Sequence, residues 1–179
     1  MNTDIFSKNG KYLMLALDHR SSFKKMINPF SLKLAIELKH QIIESVYDQM
    51  TGVLVDLDYG YSAYLKINKQ IVKPFLLPLE KSGYTDQAGE RLTEIAHSAK
   101  ELKELGATGA KLLIYFNPSY KTAIKQMETA KKVVEECKKE KFPLFLEIVN
   151  YENEYDDYKV VRSVERFIKN KIYPDVYKL

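Results

Sequence analysis

Residues 110–149 read AKLLIYFNPSYKTAIKQMETAKKVVEECKKEKFPLFLEIV. The stretch holds two nearly continuous apolar runs, 110–116 and 142–149, which are typical of strands buried on both faces. The segment between them has apolar residues at helical spacing, with its lysines largely away from that stripe. The stripe comprises Ile124, Met127, Ala130, Val134 and Cys137. Strand, one-faced helix and strand predict two parallel strands joined by a right-handed crossover.

The same alternation runs along the whole chain. Further apolar runs cover residues 12–17, 52–55 and 74–79, and a sixth strand is predicted to begin near Pro174. Segments with helical spacing separate the runs, and one of them contains Leu92, Ile95, Ala99 and Leu102. Ser31 is predicted to cap a helix, and Gly106 to end one. Asn117-Pro118 predicts a helix that begins at Pro118. The acidic, tyrosine-rich residues 151–157 predict a surface loop.

Alternating strands and helices fit either an open doubly wound sheet or a closed barrel. An open dinucleotide-binding sheet should carry a glycine-rich turn after its first strand. Here that strand is followed by Asp18-His19-Arg20-Ser21-Ser22. The sequence therefore predicts an α/β fold of the parallel (β/α) TIM-type barrel class. It predicts a single domain over residues 1–179, incomplete, with about five βα units plus a sixth strand.

Composition narrows the classes of function. A net charge of +4, with only four arginines among 28 basic residues, argues against nucleic-acid binding. No run approaches the roughly 18 apolar residues that a membrane span needs. The first eleven residues are polar, unlike a signal peptide, and the single cysteine excludes an intramolecular disulfide. These features predict a cytoplasmic protein with no nucleic-acid or membrane partner.

Polar side chains follow nearly every predicted strand. In a parallel barrel the carboxyl ends of the strands form the rim where active sites lie. The residues at these ends are Asp18, His19, Asp56, Glu80, Lys81, Glu147 and Lys178. Each alone could cap a helix or point into water, but their convergence on one rim favours a site.

Lys111 and Glu147 are more informative, because each interrupts an apolar run. A buried lone charge is costly and demands a partner or a polar cavity. Adjacent parallel strands lie about 4.8 Å apart, so a contact between Lys111 and Glu147 is feasible. This placement favours a functional site. The alternative is that Lys111 and Glu147 form a buried structural ion pair. No His, Asp or Glu spacing predicts a metal site, and Cys137 is predicted to pack in the core.

Six motifs follow one another along the chain. They are Leu15-Ala16-Leu17-Asp18-His19-Arg20, Val53-Leu54-Val55-Asp56-Leu57-Asp58-Tyr59-Gly60, Glu80-Lys81-Ser82-Gly83-Tyr84, Gly106-Ala107 through Ala110-Lys111-Leu112-Leu113-Ile114-Tyr115, Phe145-Leu146-Glu147-Ile148 and Pro174-Asp175-Val176-Tyr177-Lys178-Leu179. In that order they resemble the class I tagatose-bisphosphate and sulfofructose-phosphate aldolases, and they are similar to the aldolase-like C-terminal domain of 5-dehydro-2-deoxygluconokinase.

The resemblance implies a lyase that cleaves or forms a phosphorylated ketose, giving dihydroxyacetone phosphate and an aldehyde without a cofactor. It implies that Lys178 forms the imine and that Glu147 handles protons. Asp18, His19 and Lys111 match substrate-contacting positions. A neutral lysine amine attacks the ketose carbonyl, and the protonated imine then withdraws electrons from the breaking carbon–carbon bond. Asp56, Glu80 and Lys81 are candidate substrate-binding residues from their strand-end positions.

A family member would continue beyond Leu179 through strands seven and eight. We therefore expect a barrel truncated at strand six, with open edges that favour homo-oligomers or association with another chain. The chain is expected to be an aldolase, inactive in this form if the missing strands are essential. One alternative is a catalytically incomplete fragment or accessory sugar-phosphate-binding domain. Another is a phosphosugar isomerase or epimerase.

Overall fold

The computed structural model describes residues 1–151 and 158–179. These residues form two compact units, one of residues 2–78 and the other of residues 79–179 together with Met1. The prediction of one domain over residues 1–179 stays a prediction. The loop predicted over residues 151–157 lies, apart from Tyr151, outside the described residues.

The first unit contains three parallel strands in the order β1-β2-β3. Its strands are β1 (Met14–Leu17), β2 (Gly52–Val55) and β3 (Phe75–Pro78). Its helices are α1 (Ser21–Met26), α2 (Leu32–Val46) and α3 (Gly60–Leu65), preceded by a 3-10 turn at Asp4–Phe6. Every residue of β2 and β3 is buried, as continuous apolar runs predict.

Helix α2 begins where the sequence predicts. The Leu34 backbone N–H donates to Ser31 Oγ at 3.3 Å, which confirms the predicted cap. The helix buries Ala35, Lys39 and Ile43, which recur every four residues on one face. One member of that buried stripe is therefore a lysine, and its partners are described with the candidate site.

The second unit contains three parallel strands and a hairpin. The hairpin pairs β4 (Thr85–Gln87) with β5 (Glu90–Leu92), and the parallel strands are β6 (Gly109–Phe116), β7 (Leu144–Asn150) and β8 (Val176–Lys178) in that order. The helices are α4 (Ala99–Glu104), α5 (Thr122–Glu140) and α6 (Lys159–Lys169). Strand, helix and strand over residues 110–149 are thereby confirmed, as is the parallel pairing.

The predicted helix through Leu92, Ile95, Ala99 and Leu102 is wrong in its first half. Leu92 ends strand β5, and α4 begins only at Ala99. Ser98 fixes this start, because Ser98 and Glu101 form a reciprocal capping box that satisfies two amide groups. The helix ends as predicted, with Gly106 in a left-handed conformation at φ +84°.

The predicted start of α5 at Pro118 is also wrong. Helix α5 begins at Thr122, and the Glu90 carboxylate accepts hydrogen bonds from the backbone N–H groups of Lys121 and Thr122. A negative side chain at this position complements the positive end of the helix dipole. The predicted core position of Ile124 is wrong, because the buried face of α5 runs through Ala123, Met127 and Ala130 and the Ile124 side chain is 62% exposed.

None of the helices in the described ranges has the length and apolar content needed to cross a membrane. The cytoplasmic location stays a prediction.

Candidate active site

Four charged side chains of alternating sign form a continuous chain in the second unit. Lys111 Nζ lies 2.8 Å from Glu80 Oε1 and 3.2 Å from Glu147 Oε2. The other Glu147 oxygen, Oε1, contacts Lys178 Nζ. The predicted contact between Lys111 and Glu147 is therefore present, and Glu147 lies between two ammonium groups.

Strand register explains this arrangement. Lys178 on β8 is the Cα partner of Glu147 on β7, and Glu147 is the partner of Leu113 on β6. Lys111 precedes Leu113 by two residues, so the two side chains leave the same face of β6. Neighbouring strands at about 4.8 Å separation then bring the three charged side chains into one group.

Two members of the chain of charges are buried and the other two are more exposed. The side chains of Glu80 and Lys111 are 4% and 3% exposed, whereas Glu147 is 19% and Lys178 is 36% exposed. The inner pair, Glu80 with Lys111, is also anchored to the backbone, because Glu80 Oε2 accepts a hydrogen bond from the Leu113 N–H at 3.1 Å. The inner pair is thus a buried ion pair, although the sequence raised that alternative for Lys111 with Glu147, and the outer pair, Glu147 with Lys178, is more exposed.

The outer pair has the composition of a nucleophile with a proton acceptor. A lysine attacks a carbonyl only as the neutral amine, so an adjacent carboxylate that can take its proton is the feature that imine chemistry needs. Glu80 compensates the charge of Lys111, which leaves Glu147 available for Lys178. Among residues 1–151 and 158–179, no group of three or more His, Cys, Asp or Glu side chains is arranged to hold a metal ion.

A second buried charge pair, Lys39 with Asp56, lies in the first unit. Both side chains are fully buried and form a salt bridge. Lys39 Nζ also donates to the backbone carbonyls of Leu17 and His19, each at 2.8 Å. Burial lowers the pKa of Lys39, and the hydrogen bond and charge of Asp56 oppose that shift. Lys39 therefore holds the backbone on both sides of Asp18.

Asp56 is occupied by protein contacts. Its carboxylate accepts from the backbone N–H groups of Tyr59 at 2.7 Å and Gly60 at 3.2 Å, at the start of α3. Lys39 was not among the residues that the sequence singled out. The signal for it was present, because it occupies the apolar position between Ala35 and Ile43.

The remaining predicted site residues are more exposed. Asp18 is half-buried and His19 is exposed at the end of β1, in the first unit. Lys81 is exposed and forms a 2.7 Å salt bridge with Glu94, apart from the four-charge chain. Of the predicted residues, the structure therefore brings together Glu80, Lys111, Glu147 and Lys178. Substrate contact by Asp18, His19, Asp56 or Lys81 stays a prediction.

Residues 12–178 match the family described as DeoC/LacD family aldolase. Tagatose 1,6-diphosphate aldolase 1 of Enterococcus faecalis is 30% identical over 183 residues, which cover 92% of this chain and 56% of that protein. Tagatose 1,6-diphosphate aldolase of Lactococcus lactis is 31% identical over 159 residues, covering 84% of this chain and 48% of that protein. The chain spans about half the length of these relatives.

Solved structures show the same fold. An archaeal fructose 1,6-bisphosphate aldolase matches with a TM-score of 0.68 at 21% identity, over 98% of this chain and 67% of that chain. A Schiff-base-forming fructose-1,6-bisphosphate aldolase matches with a TM-score of 0.67 at 18% identity, over the same shares. The predicted α/β fold of the parallel (β/α) barrel class is confirmed. With the family match over residues 12–178, it follows that this chain belongs to the DeoC/LacD family of aldolases.

Proposed function

We propose that the chain carries the imine-forming half of a class I aldolase that acts on a phosphorylated ketose. The observation that carries the proposal is the contact of Lys178 Nζ with Glu147 Oε1 at the accessible end of a chain of charges whose other end is buried. Membership of an aldolase family supports it, as do relatives named as tagatose 1,6-diphosphate aldolases.

The first half of the reaction builds the imine. Glu147 takes a proton from the Lys178 ammonium, and the neutral amine adds to the ketone carbon to form a carbinolamine. Protonated Glu147 then gives its proton to the carbinolamine hydroxyl, which leaves as water. The result is a protonated imine on Lys178 and an ionised Glu147 beside it.

The second half breaks the carbon–carbon bond. The Glu147 carboxylate removes the proton of the hydroxyl two carbons from the imine carbon, and the electrons of the bond to that hydroxyl-bearing carbon flow into the iminium. An aldehyde leaves, and an enamine remains on Lys178. Proton return from Glu147 to the enamine carbon restores an imine, and water then releases dihydroxyacetone phosphate. The lysine itself is the electron sink, so the scheme requires no cofactor.

Lys111 and Glu80 support this cycle without reacting. Lys111 Nζ, 3.2 Å from Glu147 Oε2, orients the carboxylate and offers it a fixed positive partner. Glu80 holds Lys111 in place through a 2.8 Å contact between two buried side chains. Direct contact of Lys111 with substrate belongs to the same proposal, as do contacts of Asp18 and His19. Association through open strand edges stays a prediction.

Product analysis with a matched pair of variants tests the proposal. We would incubate the full chain with tagatose 1,6-bisphosphate and with fructose 1,6-bisphosphate and measure triose phosphates. The expected result is triose formation that disappears in Lys178→Met. Formation should persist in Lys132→Met, which makes the same chemical change at an exposed position on α5.

The competing functions give different results. An isomerase or epimerase would yield a rearranged ketose or aldose without trioses. A non-catalytic sugar-phosphate-binding domain would be thermally stabilised by the bisphosphate without converting it. Either outcome would overturn the aldolase proposal for this chain.

A further inference from the structure

Arg91 is surrounded by tyrosines at the carboxyl end of β6. Its guanidinium carbon lies 4.8 Å from the ring centroids of Tyr84 and Tyr151, and 5.7 Å from that of Tyr115. Guanidinium groups gain cation–π stabilisation in such positions. The side-chain N–H groups of Arg91 donate to no acceptor among the described residues.

The backbone of Arg91 is fixed on both sides. Its N–H donates to the Tyr151 hydroxyl at 3.0 Å, and its carbonyl accepts from Gln126 Nε2 at 3.2 Å. Asp86 is its partner in the hairpin register, but the Asp86 carboxylate accepts from the Gly89 N–H. Within the part of the chain that the structure describes, no carboxylate forms a salt bridge with Arg91. The half-buried guanidinium is thus held in place with no carboxylate partner among the described residues.

Tyr115 relates Arg91 to the four-charge chain. Tyr115 lies on the same face of β6 as Lys111 and follows Leu113, the register partner of Glu147, by two residues. Two residues of strand span roughly 7 Å, so the backbone of Tyr115 lies about that far along the strands from the level of Glu147 and its register partner Lys178. A ketose bound to Lys178 through its carbonyl would need several further carbons to reach this level.

Tyr115 adds a neutral donor to the positive charge. Burial raises the pKa of Tyr115, although Lys111 and Arg91 oppose the shift. The phenol therefore stays protonated at neutral pH. A charged fork of N–H donors beside a protonated hydroxyl matches the oxygens of a phosphate group, which guanidinium binds in bidentate fashion.

We propose that Arg91 is the specificity-determining residue for a phosphate at the end of the ketose remote from the carbonyl. The proposal rests on the proposed function for its substrate and deepens it, because it selects a ketose bisphosphate over a ketose 1-phosphate. Arg91 acts in binding and takes no part in proton transfer at Lys178.

Chemical protection tests the phosphate site without relying on catalysis. Phenylglyoxal modifies accessible arginines, and peptide mass spectrometry can follow Arg91 separately from Arg20, Arg162 and Arg166. Inorganic phosphate, titrated into the full chain, should slow modification of Arg91 several-fold and leave that of Arg162 unchanged. Equal slowing at all four arginines, or none at Arg91, would overturn the proposal.

Variants then test specificity. Arg91→Gln should reduce kcat/KM for a ketose 1,6-bisphosphate by roughly tenfold or more, the loss expected for a charge-assisted hydrogen bond, and leave that for the matching 1-phosphate unchanged. The loss should appear mainly in KM, and Arg91→Lys should recover part of it. Arg166→Gln is the control, because Arg166 is also half-buried but donates to the Pro118 carbonyl.

The outcomes separate the two proposals. Protection of Arg91 by phosphate with no triose formation would refute the aldolase function and retain the anion site. Triose formation with an equal loss for both substrates in Arg91→Gln, or with no loss for either, would refute the role of Arg91 and retain the aldolase.

Discussion

The buried pair of Lys111 and Glu80 makes an asymmetric prediction about stability. Lys111→Met removes the positive charge that lies 2.8 Å from Glu80 Oε1, at a site where the Glu80 side chain is only 4% exposed. Breaking a buried pair by deleting one partner costs about 3–5 kcal/mol, because the remaining charge is uncompensated. We expect the free energy of unfolding to fall by that amount in Lys111→Met.

Removing the carboxylate of the pair instead of the ammonium should lower the free energy of unfolding by less. In Glu80→Gln the amide oxygen can still accept from the Leu113 N–H, and Lys111 keeps Glu147 at 3.2 Å as its counter-ion. The expected loss is about 1–2 kcal/mol, that of one weakened hydrogen bond to a charged group. The double variant Lys111→Met/Glu80→Gln removes both inner charges. It should recover roughly 2 kcal/mol of the loss seen in Lys111→Met alone.

Urea denaturation followed by circular dichroism measures all three free energies. Lys132→Met serves as the control, since an exposed change on α5 should stay within about 0.5 kcal/mol of the parent chain. A loss below about 1 kcal/mol for Lys111→Met would show that the inner pair contributes no more to stability than a solvent-exposed ion pair does. Strict additivity of the two single changes would show that Lys111 and Glu80 are not coupled.

Three further predictions concern the rest of the molecule. Lys39→Met leaves the buried Asp56 carboxylate with the Tyr59 and Gly60 backbone N–H groups as its donors among the described residues, so we expect a loss of about 3–5 kcal/mol in the same urea titration; Lys39→Met/Asp56→Asn should recover part of it. Gly60→Ala places a Cβ 2.7 Å from Asp56 Oδ2 and 2.9 Å from Val55 Cβ, and should cost about 1–3 kcal/mol; an unchanged melting temperature would contradict this packing. Burial raises the pKa of Cys137 to about 12, so the native thiol should resist a disulfide reagent at pH 8 and react in urea. The same shift contributes stability that is complete below the unfolded thiol pKa of about 8.5 and is lost as pH rises towards 12. Cys137→Val should therefore lose less stability than the parent chain over that range.

Much of the four-charge chain could be predicted because its members violate the pattern of their strands. Lys111 and Glu147 each stand in an otherwise apolar run, and parallel strands with side chains alternating between faces allow few ways to pair them. Lys178 stood out through its position at the end of the sixth predicted strand and through the family motif. The parallel strands follow from the same reasoning, since buried runs separated by one-faced helices have few other solutions.

The features that were missed depend on contacts between residues distant in sequence. Helix α5 starts four residues later than predicted because Glu90, which lies 31 and 32 residues before Lys121 and Thr122, accepts hydrogen bonds from their backbone N–H groups. No local pattern shows such a cap. The hairpin before α4 was mistaken for helix because apolar spacing alone does not distinguish the two over a short segment. Ser98 and Glu101, a readable capping box, would have corrected the start of α4.

The surroundings of Arg91 could not be predicted from the sequence for a different reason. Its three tyrosine neighbours come from separate parts of the second unit, and each is unremarkable in its own segment. Folding brings them together around one charge, and only the folded structure shows that this charge lacks a carboxylate partner among the described residues.

The central claim is that Lys178 is the amine that forms the imine, and borohydride trapping tests it most directly. The full chain would be incubated with dihydroxyacetone phosphate, reduced and digested, and every lysine-containing peptide examined by mass spectrometry. The account predicts one reduced adduct, located on Lys178, absent from Lys178→Ala and retained in Lys132→Met. No adduct under native conditions, or an adduct that persists in Lys178→Ala, would contradict it.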